Sequence, residues 1–301
     1  YGDYTLAYLQ SDQYSAWQYR GEFSYKRDGG QGADVEFDTE NLGISYNIHY
    51  EFSTKTEGTW QGSFNDGAQL SGLFTVKEAV EPTTYNYNGI IEPELAISSS
   101  ITNVTYQYQV YLPPKYNETA EYYPVIYATD GQWEYWKMAY AIETSEQEII
   151  LVAITQGPED RRLIDYALPG SSQYLEFLTY EMLPLIESQY RIDDGNRAIV
   201  GFSWGGLLVR HALISEVTQP LFNKFISIDG SYWHENSVYQ ALEQPLYMAD
   251  SLVDRTLYLS GAKRGGNDVD VREFYQNLLS YEALGLSIFF QSFDVEHGQS
   301  P

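Results

Sequence analysis

The chain has no cysteine among its 301 residues, few basic residues and only four histidines. Without cysteine, disulfide scaffolds, thiol nucleophiles and cysteine-ligated zinc sites are excluded. Lys and Arg number 17 against 42 Asp and Glu, which leaves a formal net charge of −25. A nucleic-acid backbone is bound by a clustered basic surface, so this charge excludes a nucleic-acid partner.

Long apolar runs are also missing. None approaches the ~20 residues that a membrane-spanning helix needs, so we expect no membrane span. The chain begins at Tyr1 without the charged and apolar segments of a secretory leader. We therefore expect the mature form of a secreted or periplasmic protein. His and carboxylate side chains do not cluster at metal-ligand spacing, and we expect neither a metal nor another cofactor.

Aromatic residues are abundant, with 29 Tyr, 13 Phe and 6 Trp in a chain that is 43% hydrophobic. Residues 1–85 consist of short aromatic and β-branched runs; Ser45–Phe52 alternates, and Asn65-Asp66-Gly67 is a hairpin signal. This pattern predicts a small antiparallel β-rich accessory domain. His49 lies in the strand pattern and is interpreted as a residue on a sheet face.

Strand and helix patterns alternate through residues 86–301. The predicted strands are 104–112, 124–128, 149–154, 197–201, 222–228, 256–260 and 287–290, and the predicted helices are 174–190, 207–214 and 271–284. Such alternation predicts an α/β catalytic domain with a mostly parallel sheet covered on both faces. In such sheets, ligands bind at the carboxyl ends of the strands.

The segment Gly201-Phe202-Ser203-Trp204-Gly205 follows one of these strands and precedes a helical run. A serine on a sharp strand-to-helix turn presents its hydroxyl at the sheet edge, beside the N–H groups of the helix start. Small residues two before and two after it let the chain pass without a clash. The pattern predicts Ser203 as a nucleophile.

A serine hydroxyl needs a base within hydrogen-bond reach. His211 lies along the helix that follows Ser203, about 12 Å away at 1.5 Å per residue, which is too far. His297 follows the last predicted strand, where the order serine, acid, histidine places the base. His234, after the strand that follows the serine, is the second candidate.

The acid that orients the imidazole should lie between Ser203 and His297, in the loop after strand 256–260. Asp268 is our first choice and Asp270 the second. Either could instead cap the helix that follows, and spacing does not separate them.

Several motifs recur in the order of one family. They are Val110–Tyr116, Tyr123–Gly131, Arg162–Tyr166, Phe177–Tyr190, Arg197–Gly206, Leu221–Ile228 and Ser231–Trp233. With them the chain, from about residue 100 to its end, resembles the esterase D superfamily of α/β-hydrolases. That superfamily includes feruloyl and acetylxylan esterases, enterochelin-type siderophore esterases, S-formylglutathione hydrolase and mycolyl transferases. The resemblance implies the α/β-hydrolase fold and does not extend to residues 1–85.

The resemblance also implies Ser203 as nucleophile, His297 as base, and an oxyanion hole formed by the backbone N–H groups of Trp204 and Gln132. Two segments depart from the family pattern. Ala262-Lys263-Arg264 stands where many relatives carry an acid, so the acid is displaced to Asp268 or Asp270, or the site is a Ser–His dyad. Asp229-Gly230-Ser231 replaces the common Ser-Pro-Ser.

Aromatic residues cluster at the predicted strand ends. Trp133, Trp136, Tyr232 and Trp233 are expected to line the substrate pocket, where their faces would stack on sugar rings or phenolic acids. The sequence thus predicts a serine carboxylic ester hydrolase acting on a small-molecule or polysaccharide-linked ester, such as a feruloyl or acetyl ester. A siderophore-type esterase, an acyltransferase on the same site and a binding protein with a vestigial site are the alternatives.

Overall fold

The structure is a computed structural model that describes the strands within residues 22–75 and most of residues 87–299. The described segments are 22–27, 32–39, 44–52, 57–64, 69–75, 87–158, 161–216, 218, 220–243, 252, 254–279 and 285–299. The chain divides into two compact units, Tyr1–Tyr85 and Asn86–Pro301. Within the described segments, no helix has the length and apolarity needed to cross a membrane.

The first unit contains a five-stranded antiparallel sheet in which each strand pairs with the next. Its strands are β1 (Glu22–Arg27), β2 (Gly32–Thr39), β3 (Ile44–Phe52), β4 (Glu57–Phe64) and β5 (Gln69–Thr75). The alternating segment Ser45–Phe52 forms most of β3, as its period of two predicts. The predicted hairpin turn at Asn65-Asp66-Gly67 lies outside the described residues, between two strands that pair antiparallel.

The second unit contains a nine-stranded mixed sheet. Its strands are β6 (Ile90–Ile91), β7 (Leu95–Ser98), β8 (Thr105–Leu112), β9 (Tyr123–Ala128), β10 (Ile150–Ile154), β11 (Ile192–Phe202), β12 (Lys224–Ile228), β13 (Arg255–Arg264) and β14 (Leu286–Glu296). Their order is β14-β13-β12-β11-β9-β10-β8-β6, and β7 also pairs with β8. In this order, every neighbouring pair from β14 through β9 to β10 is parallel, which confirms the predicted mostly parallel sheet.

Helices cover both faces of this sheet. They are α1 (Gly131–Thr144), α2 (Arg162–Asp165), α3 (Gly170–Phe177), α4 (Leu183–Gln189), α5 (Trp204–Ser215), α6 (Asn236–Leu242) and α7 (Asp268–Leu279). The side chains of β10 alternate between two apolar clusters: Leu151 packs with residues of α1, and Val152 packs with residues of α3, α4 and α5. Strands buried on both faces read as continuous apolar runs, and β10 is such a run.

The predicted helix 174–190 is interrupted. Between α3 and α4 the chain makes a π-helical turn over Leu178–Met182, and Pro184 stands at the start of α4. Proline lacks an N–H and its ring clashes with the carbonyl four residues earlier, so a continuous α-helix cannot pass through this position. A widened turn resolves the clash.

His211 lies on α5, away from the sheet edge, and is 7% exposed. Its Nδ1 is 2.7 Å from the Ser171 hydroxyl. Burial lowers the pKa of His211 to about 4. The imidazole is therefore neutral at neutral pH, and its role is to pack α5 against α3.

Acid should destabilise the fold through His211. The unfolded histidine takes up a proton near pH 6.5, whereas the folded one does so near pH 4. Its contribution to stability is thus complete above about pH 6.5 and is lost as the pH falls toward 4. Chemical denaturation at pH 7 and pH 4.5 should show a loss of roughly 2 to 3 kcal/mol more in the wild type than in His211→Gln. Equal losses in the two proteins would show that His211 does not titrate as described.

Candidate active site

Ser203 lies on the turn between β11 and α5, at the carboxyl edge of the sheet. Its backbone has φ 56° and ψ −112°, a strained conformation for a residue with a side chain. Flanking glycines make the turn possible. A Cβ at Gly201 would lie 2.3 Å from the carbonyl of Gly205, and a Cβ at Gly205 would lie 2.2 Å from the Thr129 hydroxyl. The turn therefore requires the glycines that the sequence places there.

His297 begins a short 3₁₀ turn after β14 and reaches Ser203 across the sheet edge. Its Nε2 is 3.0 Å from Ser203 Oγ, a hydrogen-bonding distance. The ring of Phe202 lies beside the imidazole, with 4.7 Å between ring centroids. The structure thus brings together the predicted nucleophile and the predicted base.

Asp229 holds the other side of the imidazole. Its Oδ2 is 2.5 Å from His297 Nδ1, and its side chain is completely buried at the end of β12. Its Oδ1 accepts hydrogen bonds from the N–H groups of Ala262 at 2.8 Å and Asn267 at 2.9 Å. A buried carboxylate with these donors is a pure acceptor, so Nδ1 carries the proton and Nε2 presents a lone pair to Ser203.

The expectation that Asp268 or Asp270 partners His297 is corrected by this geometry. Asp268 begins α7, where its carboxylate contacts Arg272 at 2.8 Å and the hydroxyl of Ser292. Asp270 lies in the first turn of the same helix. Both act at the N-terminus of α7, where acidic side chains are stabilised by the helix dipole. Ala262 in β13 and Asn267 before α7 supply backbone donors to the buried acid, and the acid itself directly follows β12.

The segment Asp229-Gly230-Ser231, which departs from the family pattern, shapes the turn at the end of β12. Asp229 has φ 47°, a left-handed conformation that Asp tolerates better than most residues. The Ser203 N–H donates to the Ile228 carbonyl, and the Ser231 N–H donates to the Ser203 carbonyl, both at 2.9 Å. The end of β12 therefore holds the serine turn on both sides.

The oxyanion-hole candidates Gln132 and Trp204 both stand near helix starts. Trp204 is the first residue of α5, and Gln132 is the second residue of α1. The N–H groups in the first turn of a helix have no partner within that helix. Because β9 and β11 are adjacent and parallel, both helix starts emerge at the edge that carries Ser203. The Gln132 side chain is occupied elsewhere, accepting from the N–H of Gln156 at 2.9 Å.

Asp130 fixes the turn from β9 into α1. It is 1% exposed, has φ 56°, and binds Arg162 through two hydrogen bonds of 3.1 and 2.7 Å. Burial raises the pKa of the Asp130 carboxyl, and the neighbouring guanidinium opposes that rise. This ion pair anchors the loop that precedes Gln132 to α2.

Three of the four aromatic residues predicted for the pocket are exposed: Trp133 at 37%, Trp136 at 46% and Trp233 at 52%. Tyr232 is not exposed, and its prediction as a pocket residue is corrected. It lies at 0% exposure, with Arg210 4.9 Å above its ring and Phe274 against its edge. The ring of Tyr232 therefore lies in the core, while that of Trp233 is half exposed.

His234, the second candidate for the base, lies beside Trp204 with 4.7 Å between ring centroids. Trp233 packs edge-on against the same indole at 5.8 Å. These three rings form an aromatic wall next to the nucleophile. His297, and not His234, lies within hydrogen-bonding distance of Ser203 Oγ.

A serine hydroxyl, an imidazole and a buried carboxylate joined in this order, at the carboxyl edge of a mostly parallel sheet, define an α/β-hydrolase. Residues 99–236 match the family model described as "Putative esterase". The second unit thus has the α/β-hydrolase fold, and the chain is similar to esterases.

One curated relative is the uncharacterized protein YbbA of Bacillus subtilis (strain 168). It is 29% identical over 152 residues, which cover 44% of this chain and 59% of YbbA. The chain thus spans less than two thirds of the length of that relative.

Solved structures share the fold of the second unit. An IroE-like serine hydrolase from Shewanella oneidensis is 25% identical with a TM-score of 0.62, covering 69% of this chain and 75% of its own. The siderophore hydrolase EstA from Aspergillus nidulans is 20% identical with a TM-score of 0.60, covering 70% and 89%. A ferulic acid esterase is 22% identical with a TM-score of 0.55, covering 70% and 92%. The last two likenesses support the fold alone.

Proposed function

We propose that the protein is a serine carboxylic ester hydrolase that acts through an acyl-enzyme intermediate. The observation that carries the proposal is the chain of contacts from Ser203 through His297 to Asp229, at 3.0 and 2.5 Å. The similarity to an IroE-like serine hydrolase supports it. Asp229 completes a triad, so the site does not depend on a Ser–His dyad.

The first half of the reaction acylates the enzyme. Ser203 gives its proton to His297 Nε2 as its Oγ bonds to the ester carbonyl carbon. The resulting oxyanion accepts hydrogen bonds from the N–H groups of Trp204 and Gln132, each worth on the order of 3 kcal/mol. When the intermediate collapses, the bond to the alcohol oxygen breaks and His297 protonates the departing alcohol.

The second half releases the acid. Water gives a proton to His297 as its oxygen bonds to the acyl carbon, and Ser203 leaves with the proton that His297 returns. Asp229 orients the imidazole and stabilises its cation without taking the proton.

The substrates we propose are feruloyl or acetyl esters of polysaccharides. The wall of Trp204, Trp233 and His234 beside the nucleophile supports this class, as does exposed Trp133 directly after Gln132. Aromatic faces stack on phenolic rings and on the apolar faces of sugars. A net charge of −25 disfavours polyanionic chains, so the sugar backbone we propose is neutral.

Purified protein should hydrolyse both p-nitrophenyl acetate and methyl ferulate, with a burst of p-nitrophenol that reports the acyl-enzyme. Trp233→Ala should raise the KM for methyl ferulate about fivefold, since a ring contact contributes roughly 1 kcal/mol. Phe289→Ala is the control, because Phe289 is also exposed but lies on β14 about 26 Å from His297 along the strand.

Three outcomes would revise the substrate assignment. Hydrolysis of p-nitrophenyl acetate without hydrolysis of methyl ferulate would exclude phenolic acyl groups from the proposed substrates. Equal KM changes in the Trp233→Ala and Phe289→Ala variants would show that Trp233 does not bind the substrate. Diversion of the acyl group to added sugar alcohols in place of water would identify a transferase.

A further inference from the structure

A second buried hydroxyl touches the nucleophile. Ser231 is 2% exposed, and its Oγ lies 3.2 Å from Ser203 Oγ. Its backbone N–H also donates to the Ser203 carbonyl at 2.9 Å. Ser231 therefore contacts Ser203 through both its main chain and its side chain.

The direction of the hydroxyl contact follows from counting protons. Oδ1 of Asp229 already accepts two backbone N–H groups, and its Oδ2 accepts from His297 Nδ1. With its proton on Nδ1, the imidazole presents Nε2 as an acceptor. The hydroxyl of Ser203 therefore donates its one hydrogen bond to Nε2. Ser203 has none left for Ser231. The Ser231 hydroxyl must therefore donate, and Ser203 Oγ accepts.

We propose that Ser231 is a further catalytic residue, which donates a hydrogen bond to the nucleophilic oxygen and holds it in its reactive rotamer. This role rests on the proposed serine hydrolase function. Two contacts then define the position of Ser203 Oγ: His297 Nε2 on one side and the Ser231 hydroxyl on the other. With only one of them, the small serine side chain can rotate among its staggered rotamers and leave the attacking position.

The hydroxyl keeps its own proton through the whole cycle. In acylation the proton of Ser203 moves to His297 while Oγ bonds to the carbonyl carbon, and Ser231 steadies the oxygen that loses its proton. In deacylation the bond from Oγ to the acyl carbon breaks, and Ser231 donates to the oxygen that receives the electron pair. Both steps pass through the same oxygen, so both should slow when this donor is removed.

The test uses Ser231→Ala, Ser231→Thr and a control. Ser231→Ala should lower kcat on p-nitrophenyl acetate about tenfold, the effect of one hydrogen bond, with KM unchanged. Ser231→Thr keeps the hydroxyl and should recover most of the rate. Ser227→Ala is the matched control, because Ser227 is a fully buried serine at the end of β12 whose hydroxyl donates to the Gly206 carbonyl at 3.2 Å.

The pH profile of kcat separates catalysis from packing. Ser231→Ala should lower the plateau and leave the midpoint of the acid limb in place, because the contact between His297 and Asp229 is untouched. A Ser231→Ala rate within twofold of the wild type would overturn the role. So would an equal fall in Ser227→Ala, a shifted midpoint, or a Ser231→Thr rate as low as that of Ser231→Ala. Wild-type activity that survives Ser203→Ala would overturn the proposed function itself.

Discussion

Ser203→Ala should lower kcat on p-nitrophenyl acetate by about 10⁶-fold, to the level left by the oxyanion donors and substrate binding. Alanine removes the atom that forms the acyl-enzyme, and the burst of p-nitrophenol should disappear with it. Stopped-flow measurement of the burst in wild type and variant checks both effects. A fluorophosphonate probe should label the wild type at Ser203 and leave the variant unlabelled.

The fold should tolerate this change, because alanine fits wherever serine does and the turn is held by backbone hydrogen bonds on both sides. Ser227→Ala serves again as the control for a lost buried hydroxyl. Circular dichroism should superimpose for all three proteins. A burst that persists in Ser203→Ala, or a probe adduct on another residue, would assign the nucleophile elsewhere.

Asp229→Asn should lower kcat about 10⁴-fold, with a small change in KM. The two N–H groups on Oδ1 keep an oxygen in that position, so the amide NH₂ of the variant must face His297. Nδ1 then has to accept, and the imidazole proton moves to Nε2. In that tautomer Nε2 is a donor facing the Ser203 hydroxyl, and it cannot take the serine proton.

Asp268→Asn is the matched control, since it makes the same chemical change on the carboxylate that pairs with Arg272. Its kcat should stay within about threefold of the wild type, because Asp268 does not touch His297 in the structure. Steady-state kinetics of the two variants decide between the positions. A large fall in Asp268→Asn with little change in Asp229→Asn would return the acid to the loop after β13.

The positions of Ser203 and His297 could be predicted because they depend on local patterns. The strand, the turn with its flanking glycines and the helix are contiguous in sequence, and sterics allow few other arrangements. His297 follows the last strand, and parallel strands end at one edge of the sheet. The predicted parallel sheet is confirmed for the same reason, since buried apolar runs separated by helices allow few alternatives.

The partner of His297 could not be predicted from spacing, because two adjacent strands end within reach of it. β12 and β13 are paired in parallel register, with Ile228 opposite Ser260, so an acid after either strand lies at the same edge. The usable signal was that two departures from the family pattern complement each other. The segment Ala262-Lys263-Arg264 lacks the acid that many relatives carry there, and Asp229 stands in place of the first serine of the common Ser-Pro-Ser.

The pair Tyr232 and Trp233 shows where aromatic composition misleads. Both follow β12, yet one packs over buried Arg210 and the other stands half exposed. Sequence identifies an aromatic residue at a strand end, but the direction of its side chain depends on the φ and ψ angles of the turn. Those angles include the left-handed Asp229, which no local propensity demands.

The carboxylate of Asp229 is held by backbone groups at the end of β13 and just before α7, and the Asn267 side chain donates to the Asp229 carbonyl at 2.7 Å. The N–H groups of Ala262, in β13, and Asn267 donate to the carboxylate, while the side chains of Lys263 and Arg264 at the end of β13 are exposed. A Cβ at Gly266, by contrast, would lie 2.6 Å from Asp229 Oδ2. Substitutions should therefore be tolerated at Lys263 and Arg264 but not at Gly266. The sequence variability of this segment among homologues would understate its importance to the site.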